Sequence, residues 1–150
     1  MKTLKDHARS RLKDERGVAA LEFAIVSQLL LLLLYGMLSY GFVFALNHDI
    51  THAAAEGARA TLSQPDTSTD AQLDAYATNA ARDALSFAAA KTYANVTAEV
   101  IPCPSDATIR CIHVHIDYAY RNRPLVPSFG LMNGLIPGSI AADSTVELDF

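Results

Sequence analysis

From Phe23 to Leu46 the chain runs 24 residues without a formally charged side chain. As a helix that run is about 36 Å long, enough to cross a hydrocarbon core of about 30 Å. Few folds tolerate such a run, so it is read as a transmembrane helix that begins near Val18 and ends at Leu46. The flanks set its direction. Residues 1–17 hold six Lys/Arg (Lys2, Lys5, Arg9, Arg11, Lys13, Arg16) and three acids, a net +3. The remainder is net −7, giving −4 for the 150-residue chain. Basic residues beside a span stay cytoplasmic. After the run none follows until Arg59. The expected orientation is therefore an N-terminus in the cytoplasm and a periplasmic domain beyond residue 47. A secretory signal peptide fits poorly, because its apolar region is only about 7–15 residues long. An acidic outer part gives no reason to expect nucleic-acid binding.

Beyond the span, the helical pattern continues from Asn47 to Leu62, with Ile50, Ala54, Ala58 and Leu62 on one stripe at i, i+4 spacing. Ser63–Thr69 breaks it, since Pro65 cannot continue a helix and Ser, Thr and Asp favour turns. A second helix is expected over 70–93, capped by Thr69 or Asp70, with Leu73, Tyr76/Ala77, Ala80, Ala84, Phe87 and Ala88 facing inward. Three runs then alternate with period two, the mark of half-buried antiparallel strands: Asn95–Ile101, Arg110–Tyr120 and Ser144–Phe150. Between the last two lies a loop, Arg121–Ala142, carrying Leu125, Val126, Phe129, Leu131, Met132, Leu135 and Ile136. So apolar a loop covers its own domain, meets another subunit or touches the membrane. The expected fold is α+β: a long N-terminal transmembrane helix (18–46), its extension (47–62), one amphipathic helix and a three-stranded antiparallel sheet within 95–150.

Cys103 and Cys111 are the only cysteines. Outside the cytoplasm their compartment permits a disulfide, which would staple the mouth of the first hairpin. Closing so short a loop is worth about 2–3 kcal/mol in the chain-entropy picture. Signs of catalysis are weak: the chain has no Gly-x-Ser-x-Gly elbow, phosphate-binding glycine loop or His-Glu-x-x-His run. His48, His52 and Glu56 stack at i, i+4, and Cys111, His113 and His115 share a strand face. Both sets are read as surface groups rather than metal ligands. No catalytic residue, metal or cofactor is expected.

Glu22 stands apart. A carboxylate at an apolar helix start is costly unless it sits at headgroup level, is protonated, or pairs with a cation. A new α-amine at Val18, made by a cut after Gly17, is one such cation.

That arrangement resembles type IV prepilins, in which a basic leader ends in Gly and Glu is the fifth mature residue. Gly17, Val18 and Glu22 match it. The wider stretch resembles the TadE-like family of the Tad (tight adherence, Flp) pilus machinery. The matching residues are Gly17-Val18-Ala19-Ala20-Leu21-Glu22-Phe23-Ala24, the leucines 29–34, Gly36, Gly41, and Ala53-Ala54-Ala55-Glu56-Gly57-Ala58-Arg59. A strand ending Tyr-x-Tyr and the run Pro124-Leu125-Val126-Pro127 match more loosely. Gln28, Ser39 and Ala55 depart from the pattern, where the family often has Pro, an acid and Arg.

The resemblance implies a non-enzymatic minor pseudopilin. Residues 1–17 would be a leader removed by a prepilin peptidase after Gly17. Glu22 and Phe23 would serve assembly, with Glu22 pairing to a neighbour's Val18 amine. The implied partners are the peptidase, the major Flp pilin, other minor pilins, the inner-membrane platform with its ATPase, and membrane lipid. Adhesion and biofilm formation would be the outcome, with the protein held in the inner membrane or incorporated in the pilus. Two other readings stand beside it: an unprocessed, membrane-anchored scaffold or binding protein of the same system, and a periplasmic metal-dependent enzyme.

Overall fold

The computed structural model describes residues 3–65, 67–127, 134 and 136–148, with side chains from residue 17 onward. The order is α1 (Thr3–Ala60), a single 3₁₀ turn (Thr61–Ser63), α2 (Asp70–Ala84), α3 (Ala88–Tyr93), β1 (Asn95–Pro102), β2 (Arg110–Tyr118) and β3 (Ile140–Leu148). By contacts the chain divides into two units, Met1–Gly41 and Phe42–Phe150. The fold is α+β, as the pattern of elements predicts.

The first unit is helix throughout from Thr3, so the helix starts well before Val18. The stretch Leu4–Arg16 holds no Pro or Gly and is rich in Leu, Ala, Lys, Arg and Glu, all good helix formers. Charge pattern alone gave no reason to see that. From Gly17 on, α1 is long and apolar enough to cross a membrane. Its large side chains are open, Val18, Leu21, Phe23 and the leucines 29–34 among them. That is the surface a lipid phase needs.

In the second unit α1 turns amphipathic. Leu46, Ile50, Ala53, Ala54, Gly57, Ala58 and Thr61 are buried, one stripe at i, i+3, i+4 spacing. Leu46, read as the last residue of the span, is thus a core residue. Leu62, expected on the stripe, is 48% exposed. The helix tightens into a 3₁₀ turn there, and Thr61 takes the inward place. The Thr61 hydroxyl donates to Ala58 O at 2.7 Å. Gln64 then turns extended ahead of Pro65, the conformation that a following proline imposes.

The helix expected over 70–93 is two helices. Thr69 caps α2, and the Gln72 Oε1 accepts the Thr69 N–H at 3.0 Å. Leu73, Ala77, Ala81 and Leu85 are buried; Tyr76 and Ala88, expected inside, are exposed. The chain leaves helical geometry at Leu85, whose ψ is 125°. α3 resumes at Ala88 after Phe87, also extended.

The sheet is a meander, β1-β2-β3, antiparallel throughout. Val96 on β1, Ile112, Val114, Ile116 and Tyr118 on β2, and Ile140, Ala142 and Leu148 on β3 belong to the same core as the helix stripes. β3 begins at Ile140 rather than Ser144, pairing Ile140 with Tyr118 and Ala142 with Ile116. The two extra turns of pleat carry alanines, which weaken a strand signal. β2 ends at Tyr118, not Tyr120: the Tyr120 N–H donates to Tyr118 O at 2.8 Å, turning the chain. Tyr120 stays buried, edge-on to Tyr118 at 6.3 Å between ring centroids. In the following loop Leu125 and Ile136 pack on the core. Arg121 ties the loop's base, its N–H to Gly138 O and its guanidinium to Ile136 O. Phe129, Leu131, Met132 and Leu135, and Phe150 of the expected last strand, lie outside the described residues.

Candidate assembly segment

The residues singled out from sequence fall into three groups. The first lies at the start of the apolar run. Gly17, Val18, Glu22 and Phe23 are all exposed on α1. A Cβ built on Gly17 would meet nothing within 4 Å. Gly inside a helix costs about 0.5–1 kcal/mol relative to Ala, so folding gives no reason for this one.

The second group is the run Ala53–Arg59. Ala53, Ala54, Gly57 and Ala58 face inward, while Glu56 and Arg59 are exposed. Gly57 has a steric reason. A Cβ there would lie 2.5 Å from Ala81 Cβ and 2.9 Å from Ala77 O. α1 and α2 cross with almost no side chain between them, and the alanines on both sides make that approach possible. Gly57, which on propensity grounds weakens the helix, is where the helix pair closes.

The third group is the cysteines and the strand histidines. Cys103 and Cys111 are joined, with Cα atoms 5.0 Å apart, as their flanking of the hairpin loop predicts. The loop is also held from within. Asp106 Oδ1 accepts the Thr108 N–H at 2.9 Å and its hydroxyl at 2.8 Å, and these bonds lower the Asp106 pKa. His113 Nε2 and His115 Nδ1 reach one oxygen of Asp143 on β3, at 3.2 and 2.7 Å. His48 and His52 lie exposed on α1. Among the described residues no group of three or more His, Cys, Asp or Glu is arranged to hold a metal ion.

Two contributors escaped the sequence reading. Asp49 on α1 reaches into the gap between α2 and α3, where its carboxylate accepts the Ser86 N–H at 3.0 and 3.1 Å and the Phe87 N–H at 3.2 Å. These amides precede α3 and have no earlier turn to bond to, so an acid there ends one helix and starts the next. A signal existed: Asp49 stands three residues after Leu46 and four before Ala53, so it is an acid set within the buried stripe. The other is Asp74 on α2. It accepts the backbone N–H of Val100 on β1. Its Oδ1 is buried without a partner. Burial first, then the nearby charges of Asp70 and Glu99, raise its pKa above the ordinary 3.8.

Residues 17–59 match the family model described as TadE-like protein. No curated protein and no solved structure matches the chain. The match opens on the glycine that folding does not require and closes just past the one that it does. Over that segment, from Gly17 to Arg59, the chain is similar to the TadE-like proteins.

Proposed function

We propose that this protein is a minor pseudopilin of a Tad/Flp pilus, non-enzymatic, cut by a prepilin peptidase after Gly17. The similarity of residues 17–59 to TadE-like proteins supports association with a Tad pilus, and the finer role extends that. The observation that carries the reading is the start of the match: a helix glycine without steric purpose, five residues before an exposed Glu at the head of an apolar run. Cutting at Gly17 removes the basic residues and leaves a charged amine on Val18. Glu22 of one copy and the Val18 amine of a neighbour then neutralise each other at the edge of the lipid, where either alone is costly. Residues 1–17 face the cytoplasm and the unit from Phe42 onward faces the periplasm, following the excess of Lys/Arg ahead of the span. In this reading the major Flp pilin, other minor pilins and the inner-membrane platform are the partners.

Intact mass of the protein from its native host tests the cut. Loss of residues 1–17 is expected, and a chain starting at Met1 beside an active Tad peptidase sinks the processing claim. Gly17→Leu separates this reading from an unprocessed scaffold: it blocks assembly if the cut is required and changes little if the protein is a permanent anchor.

A further inference from the structure

The apolar run from Phe23 to Leu46 holds a single carboxamide, Gln28. It is exposed on α1, and no hydrogen bond joins it to another described residue. Its neighbour Ser27 meets the same need within the helix, its hydroxyl donating to Ala24 O at 3.0 Å. Gln28 has two N–H donors and a carbonyl, more than one helix turn with its own backbone already bonded takes up. We propose that Gln28 joins two copies of this chain within the membrane, as a parallel pair of α1 helices bonded carboxamide to carboxamide.

The proposal rests on α1 lying across a bilayer, for which it is long and apolar enough. Depth is the first argument. With Glu22 at the headgroups, Gln28 lies six residues farther in, about 9 Å along the helix. A glutamine side chain does not reach back that far. A polar group without a partner is costly in hydrocarbon, and Gln is among the side chains that bond across membrane helices. The second argument selects the occupant. A carboxamide complements itself, each carbonyl taking an N–H of the other. Every copy enters the membrane with the same end inward, so Gln28 of two copies comes to one depth with no shift along the axis. A helix of another protein would need its own polar group at that depth. The third argument is the surrounding surface. Leu21, Ala24, Gln28 and Leu31 stand at spacings of three and four, with Leu38 one heptad beyond Leu31, and all are exposed. That is the a/d seam of two left-handed parallel helices, in which a polar a residue fixes register. The pair needs neither the cut nor pilus assembly. In the uncut chain Val18 has no free amine, so the pairing of Glu22 under the proposed function does not enter the measurement.

Förster transfer between copies of the full chain, shown by intact mass to keep residues 1–17, tests the pair. Both cysteines are joined in the disulfide, so donor and acceptor dyes are attached enzymatically at the C-terminus. The labelled chains are mixed in phosphatidylethanolamine–phosphatidylglycerol vesicles over a range of protein-to-lipid ratios. Transfer above that of randomly placed chains is expected. It should be linear in the acceptor fraction, as a pair requires, and excess unlabelled parent should remove it. Gln28→Met keeps the length of the side chain and deletes the amide. It should move the association midpoint to a protein-to-lipid ratio about five- to thirty-fold higher, the worth of one polar contact between membrane helices. Random-level transfer by the parent overturns the proposal, as does a midpoint that Gln28→Met leaves in place. Transfer that curves with acceptor fraction means a larger assembly and overturns the pair.

Discussion

The TadE-like match covers two stretches of α1 that carry the same residue types for opposite reasons. In residues 17–41, Leu, Phe and Val point outward along nearly every turn, and glycine sits in open space. From Asn47 to Arg59 the exposed face is polar, Ala53, Ala54, Gly57 and Ala58 are buried, and Gly57 lies against α2. In the first stretch hydrophobicity suits a surrounding apolar medium. In the second, smallness serves a helix crossing. A glycine in one therefore says nothing about a glycine in the other, although propensity scores them alike.

Substituting the two glycines tests that contrast directly, and Gly57 should give the largest effect. Gly57→Leu cannot be placed against Ala77 and Ala81 without separating α1 from α2. It should cost upwards of about 3 kcal/mol, enough to unfold the second unit. Gly57→Ala should still cost about 1–3 kcal/mol, less the helix propensity that alanine restores. Gly17→Ala should leave the second unit's denaturation midpoint unchanged. Tyrosine emission in a urea titration reports both, since the chain has no tryptophan and Tyr118 and Tyr120 are buried. Equal midpoints for Gly57→Ala and Gly17→Ala would falsify the close crossing.

The disulfide is next in size. Replacing Cys103 and Cys111 together by Ser should lower stability by about 2–3 kcal/mol, and adding reductant to the parent should reproduce the shift. This effect belongs wholly to the second unit, so a change in membrane extraction of the protein would contradict it. The pairing also shows what was legible. Period two placed the strands, and the cysteine positions placed the staple. The long apolar helix was legible from its run without charge. What stayed hidden depended on contacts between elements. Nothing local told that Tyr76 is out and Ala77 in, because that choice is made by how close α1 comes at Gly57. The early start of β3 hid behind alanines, whose burial is decided by their partners on β2. The break in the second helix needed Asp49, which is 37 residues away from Ser86.

Asp49 gives a smaller and more local effect. Asp49→Ala strips the acceptor from the Ser86 and Phe87 amides, and a buried donor left unpaired costs about 1–3 kcal/mol. Ser86 is exposed and finds water, so the loss should lie near the lower end. Hydrogen exchange should quicken at Ser86, Phe87 and the first turn of α3 while the Gly57 crossing keeps its protection. Exchange rising equally along α2 would mean that Asp49 holds the whole helix layer rather than one junction.

The smallest effect separates charge from packing. Asp74 has a raised pKa, so between 3.8 and that raised value the folded state holds a proton that the unfolded chain has released. The unfolded state then binds fewer protons, and stability falls as pH rises through that window. Asp74→Asn keeps an acceptor for the Val100 N–H and removes the charge. It should flatten the profile in the window just above 3.8. At neutral pH it should gain less than about 1 kcal/mol, because Asp74 is only half-buried and water screens it. Gly57→Ala, by contrast, should shift the whole profile down without changing its slope, since an overlap of methyl groups has no proton to exchange. Parallel profiles for the parent and Asp74→Asn would show that the orphaned oxygen carries no charge penalty.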